Sequence, residues 1–124
     1  FNNIITKVQF SYLKNNAVIN PHTDSKAKII SLMLYFPSLE DNSDIKFGTS
    51  FFKSKLKNHF NFHYNQNDLL KVFQKNSELI YKTPFEKYNL YGFIRSKESW
   101  HSVDKISCNE NYLRKSININ LYYK

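Results

Sequence analysis

Residues 19–24 read Ile-Asn-Pro-His-Thr-Asp, which sets His22 and Asp24 one residue apart, just ahead of a long apolar run at 28–36. An imidazole and a carboxylate at this spacing are either ordinary loop polars or two ligands of a metal ion. Only further ligands elsewhere in the chain separate the two cases. His101, directly after Trp100, is a third candidate. Two histidines and one carboxylate can occupy one face of an octahedral ion and leave three positions open for other molecules. Further along stand Arg114 and, two residues on, Ser116. A guanidinium grips a carboxylate through two parallel charge-assisted hydrogen bonds, and a hydroxyl on the same strand face can add a third. The chemistry these residues could do together is therefore a bound cation beside a pocket for an anionic small molecule.

Such a set works only if strands bring its members together. Residues 4–13 alternate and are rich in β-branched and aromatic side chains, the pattern of a strand. A turn at Lys14-Asn15-Asn16 leads into a short strand, 17–19, which Asn20-Pro21 ends, so that His22 and Asp24 fall in the following loop. The run 28–36 is apolar on both faces and reads as a central strand covered on each side, stopped by Pro37. Residues 47–52 form a short strand in which Gly48 marks a bulge or a close backbone approach. Over 68–83, Asp68 caps one or two helical turns and 78–83 is extended. Residues 89–96 and 100–106 are two strands joined by a tight turn at 96–99. The last strand, 113–123, alternates cleanly, with Arg114, Ser116, Asn118 and Asn120 on one face. Seven or eight short strands with one minor helical piece predict an all-β sandwich or barrel. The polar face of the last strand must then line the interior, where it needs something polar to bind.

A chain of 124 residues makes one domain with a real core. It opens at Phe1 without an initiator Met, which reads as part of a longer polypeptide. No apolar run reaches the roughly 18 residues that span a membrane, so no membrane partner is expected. The net charge of +8 raises the question of nucleic acid. Against it, the lysines are scattered and only Arg95 and Arg114 offer the guanidinium favoured for base and phosphate forks. The single cysteine, Cys108, can form no internal disulfide and suits a reducing compartment, so a cytoplasmic location is expected. His59 and His63 have a spacing that suits zinc on a helix, but neither a Cys nor a carboxylate completes that set.

The order His22-x-Asp24, His101, Arg114-x-Ser116 resembles the Fe(II)- and 2-oxoglutarate-dependent dioxygenases, in particular their prolyl-4-hydroxylase-like branch. The stretches 34–41, 47–52 (Phe-Gly-Thr-Ser-Phe-Phe) and 89–103 are similar to that branch as well, so the likeness runs over about residues 5–123. It implies a double-stranded β-helix, the cupin-like jelly-roll barrel. It implies that His22, Asp24 and His101 ligate Fe(II) as the catalytic centre, and that Arg114 and Ser116 hold the distal carboxylate of 2-oxoglutarate. It places Tyr12 and Tyr35 where tyrosines can face that co-substrate. O₂ would be the oxidant, succinate and CO₂ the co-products, and ascorbate a helper, and a carboxylate at Asp24 favours hydroxylation over halogenation. The branch has two glycines before the Thr where Phe47-Gly48 supplies one, and its supporting upstream helices are not in this chain. Two alternatives stay open: a non-enzymatic β-sandwich binding module, and a nucleic-acid demethylase of the same superfamily, whose pattern has a second Arg closing the last strand. The substrate, whether peptide or small molecule, is carried by loops without a readable motif.

Overall fold

The computed structural model describes residues 3–38, 45–56 and 66–124. Among these residues eight strands and one α-helix follow in the order β1 (Ile4–Leu13), β2 (Ile19–His22), β3 (Lys28–Tyr35), β4 (Ser50–Ser54), α1 (Gln66–Asn76), β5 (Ser77–Lys82), β6 (Leu90–Ile94), β7 (Trp100–Val103) and β8 (Arg114–Tyr123), with a single 3-10 turn at Ile45–Phe47 before β4. They make two four-stranded sheets, β1-β8-β3-β6 and β2-β7-β4-β5, in which every pair is antiparallel. The chain is an all-β fold. No helix among the described residues is long and apolar enough to cross a membrane.

The sheets face each other across Met33 and Tyr35 of β3, Val103 of β7, and the loop residues Phe47, Phe85 and Ile106. Strand alternation does the sorting. On β3, Ser31, Met33 and Tyr35 point inward and are buried, while Ile30, Leu32 and Leu34 point outward and are only half-buried. The run is thus apolar on both faces, as its composition predicts, but its outer face is not fully covered. The same outward surface on β1 carries Val8 and Phe10, both exposed. On β8, Arg114, Ser116 and Asn120 are buried, and the strand lies between β1 and β3. The predicted polar interior face is there.

Several boundaries differ from expectation. β2 includes Pro21 and His22, because β2 is an edge strand whose register slips between Ile19 and His22, where a missing N–H breaks no ladder. His22 is therefore a strand residue paired with His101, not a loop residue. The helix is longer than one or two turns, and Asp68 sits inside its first turn rather than at its cap. Its Phe73 packs against Phe52 and Trp100, with ring centroids 5.2 Å apart in both pairs, so burial extends it beyond what local signals predict. β6 and β7 are not a hairpin: β6 pairs with β3 and β7 with β2 and β4, so residues 95–99 carry the chain from one sheet to the other. At the first turn Asn16 takes φ 66°, a left-handed conformation that asparagine tolerates, and its N–H reaches Ile106 O at 2.8 Å.

Gly48 is the close approach that its place in the sequence suggests. A Cβ there would lie 1.7 Å from the backbone oxygen of Thr83. That contact lets Thr49 and Thr83 exchange hydrogen bonds, Thr83 N to Thr49 O at 3.0 Å and Thr49 N to Thr83 Oγ1 at 2.8 Å. Gly48→Ala is expected to lower stability by about 1–3 kcal/mol in urea unfolding. Gly92→Ala should cost less, because its nearest neighbour is the movable Leu32 Cδ2. Equal losses in the two variants would remove the Thr83 backbone as the cause.

Candidate metal centre

His22 closes β2, His101 stands opposite it on β7, and Asp24 lies two residues beyond His22. Cross-strand pairing brings the two imidazoles to a centroid separation of 4.3 Å. One ligand atom from each of the three residues lies within 4.8 Å of the others. Each imidazole is oriented from behind: His22 Nδ1 lies 2.8 Å from Asn20 O and His101 Nδ1 2.9 Å from Ser99 O. A carbonyl oxygen only accepts, so Nδ1 carries a proton in both rings, which leaves Nε2 of each on the side toward Asp24. This backing by carbonyls is how metal-ligating histidines are held.

Electrostatics puts the cluster in a ligating state. Burial drives His101 down to about 4, more than Ser99 O raises it, so the ring is neutral near pH 7. Burial pushes Asp24 up, yet the hydrogen bond from Lys28, the His101 ring (charged only at the acid pH where Asp24 itself titrates), the Lys28 charge and the Ser31 hydroxyl together hold it below its ordinary value. The separations of 3.8 Å from His22 Nε2 and 3.9 Å from His101 Nε2 to the Asp24 oxygens are the gaps between the three candidate ligands. Metal–ligand bonds of about 2.1 Å at right angles would put neighbouring ligand atoms about 3 Å apart, a contraction that side-chain rotation supplies. The donor set fits a divalent ion.

Arg114 enters the same space from β8. It is 2% exposed and its Nε donates to Phe47 O. The guanidinium carbon lies 5.2 Å from the Tyr35 ring centroid and 5.3 Å from that of Phe85. Among the described residues no carboxylate pairs with it. Burial lowers its pKa, but a guanidinium keeps its charge. Ser116 is buried two residues along. A single cavity of about 170 Å³ is lined by His22, Asp24 and His101 at one part and by Tyr35, Arg114 and Ser116 at another. Tyr35 is fixed by hydrogen bonds between its hydroxyl and Thr49 Oγ1 and Thr83 Oγ1, both at 2.8 Å.

Tyr12 does not join them. It is 59% exposed and absent from the lining, because alternation on β1 turns Gln9 and Ser11 inward and Tyr12 outward. Trp100 is buried against Phe73, beside the site. Cys108 is half-buried against the core and does not line the cavity. His59 and His63 lie outside the described residues. Two site residues went unread in the sequence. Lys28 Nζ lies 2.9 Å from Asp24 Oδ1, and Ser31 Oγ donates to Asp24 Oδ2 at 3.0 Å. Ser31 had a signal, a hydroxyl in the inward register of an apolar strand. Ser31 Oγ is also 3.0 Å from Asn120 Oδ1. One hydroxyl proton cannot serve both oxygens, so the charged acceptor takes it, and Asn120 satisfies Ser31 best with its amide nitrogen turned inward.

Comparison with models of known families and with curated proteins gave no match.

His22→Ala, Asp24→Ala and His101→Ala should each weaken Mn(II) binding by roughly a hundredfold or more, since losing even an outer partner of a ligand costs about 10–100-fold. Calorimetry on the refolded, chelator-stripped variants reads this, and unchanged affinity removes a residue from the set. Metal-free protein should also be acid-sensitive in a defined window. Unfolded His101 takes a proton at about pH 6.5, the folded one only at about 4, so unfolding binds a proton between these values. Stability is complete above about pH 6.5 and falls as pH drops toward 4. His101→Gln should flatten that slope in urea titrations at a series of pH values, and an unaltered slope would assign it to other groups.

Proposed function

We propose that this chain is the catalytic core of an Fe(II)- and 2-oxoglutarate-dependent dioxygenase that hydroxylates a small-molecule or peptide substrate. The observation that carries the proposal is one cavity joining the two-histidine, one-carboxylate cluster to a buried arginine with no carboxylate beside it among the described residues. A guanidinium withdrawn from water without a counter-charge is costly, and a carboxylate ligand removes that cost. The strand orders β1-β8-β3-β6 and β2-β7-β4-β5, in which the chain changes sheet at every step except from β4 to its antiparallel neighbour β5, support a double-stranded β-helix as the scaffold.

Iron held by His22, Asp24 and His101 would supply oxygen activation coupled to decarboxylation of the co-substrate. The protein's part is binding and orientation. The free N–H groups of Arg114 would grip the distal carboxylate of 2-oxoglutarate, and the Ser116 hydroxyl would add a donor. The Tyr35 ring, locked by Thr49 and Thr83, sets the plane against which the guanidinium lies. Phe93 and Phe51 pack on His101, with centroids 4.5 Å and 6.3 Å from that of its ring, and would make that side of the cluster apolar. A cavity of about 170 Å³ suits a small dicarboxylate and not a second molecule of similar size. The substrate would therefore approach from the open side, where the His22 side chain is 42% exposed. The direct test is succinate formation with Fe(II), 2-oxoglutarate and ascorbate across a panel of peptides and amino acids.

Arg114 separates this enzyme from a barrel that merely binds metal. On Mn(II)-loaded protein under nitrogen, 2-oxoglutarate affinity should fall in the order wild type, Arg114→Lys, Arg114→Ala. Lysine keeps the charge without the planar fork, whereas alanine strands the carboxylate, at about 3–5 kcal/mol or 10²- to 10³-fold. Mn(II) affinity should hardly change in either variant. Thermal melts control for the packing lost with Phe47 and Phe85. Wild-type affinity for 2-oxoglutarate in folded Arg114→Ala would refute the co-substrate assignment.

A further inference from the structure

Asp24 has a partner that the proposed chemistry does not use. Lys28 begins β3, four residues on, and its Nζ lies 2.9 Å from Asp24 Oδ1 with the side chain only 13% exposed. Its backbone N–H reaches Ser25 O at 3.1 Å, closing the turn that joins the two residues. The ammonium lines the same cavity and has the Tyr122 ring 5.7 Å away. We infer that Lys28 is a stand-in cation, neutralising Asp24 until a divalent ion arrives, and that the ion's entry frees its ammonium to bind an anionic group of the substrate. The inference rests on the metal reading above and gives that enzyme a substrate class.

Two physical points carry it. A dication and an ammonium sharing one carboxylate repel each other within a few ångströms, and the weaker charge, on a flexible four-carbon stem, is the one that can move. Ser31 still holds the other Asp24 oxygen, so the carboxylate keeps its aim when Lys28 leaves. The second point is charge balance. The charged side chains lining the cavity are Asp24, Lys28 and Arg114. A divalent cation and a dianionic co-substrate added to these leave one positive charge unmatched. Arg114 is committed to the co-substrate, so the unmatched charge is Lys28, next to the metal. A substrate presenting one anionic group there, such as a carboxylate, completes the balance.

The test uses Lys28→Met and Lys28→Gln, with Lys26→Met, an exposed neighbour, as the control for net charge. Calorimetry should show Mn(II) bound about tenfold more tightly by both Lys28 variants than by wild type, and within about twofold of wild type by Lys26→Met. The anion site is probed with carboxyl-¹³C-labelled acetate on protein loaded with Mn(II) and 2-oxoglutarate under nitrogen. Its paramagnetic relaxation should be at least about twofold stronger with wild type and Lys26→Met than with the Lys28 variants, a contrast that loss of a nearby cation predicts. Mn(II) affinity unchanged or weaker in the Lys28 variants, or equal acetate relaxation in all four proteins, overturns the inference and leaves the dioxygenase proposal standing. Wild-type protein that takes up no Mn(II) at all sinks the metal reading, and the inference with it.

Discussion

A guanidinium buried at 2% exposure, with aromatic rings beneath it and a backbone oxygen as its acceptor, is an expensive thing to build between two sheets. Much of the interior is arranged around Arg114. Tyr35 and Phe85 supply ring faces whose quadrupoles favour a cation. The Gly48 approach to Thr83 brings Phe47, the acceptor of Arg114, against the core, and the same pair of threonines fixes the Tyr35 hydroxyl. The charge is thus steadied on two sides.

The other part of the cavity is organised by orientation rather than by tight contact. Backbone carbonyls set both imidazoles, and Ser31 and Lys28 set the carboxylate, so three potential ligands converge without touching one another. Burial keeps His101 neutral while hydrogen bonds keep Asp24 ionised, and these are the protonation states a divalent ion needs.

The two parts depend on one geometric fact, that sheets face each other and strands alternate. His22 and His101 meet because β2 and β7 are paired, whereas Arg114 reaches the same cavity from β8 in the opposite sheet. The crossing at 95–99 places His101 in the sheet opposite β6. Had β6 and β7 paired as a hairpin, His101 would share a sheet with Arg114, and the three candidate ligands would not meet in the cavity between the sheets.

Much of this was legible in the chain, and for a physical reason. A period of two is local, so β1, β3 and β8 and the inward polar row Arg114, Ser116 and Asn120 could be read from alternation alone. Residue types with few other uses in an interior, the spaced His22, Asp24, His101 and Arg114, marked the cavity before its walls were known. Alternation along a strand does not say which sheet that strand joins, so the separation of β6 from β7 and the pairing of His22 with His101 required the tertiary structure. Tyr12 failed for want of phase: a tyrosine's type does not tell which face it takes, and the register of β1 against β8 turned it out to solvent. Lys28 escaped notice because a lysine beside a turn is ordinarily a solvated charge. The turn closed by Lys28 N–H on Ser25 O brings its ammonium within 2.9 Å of that carboxylate, and only the packing of the two sheets around the turn buries the pair.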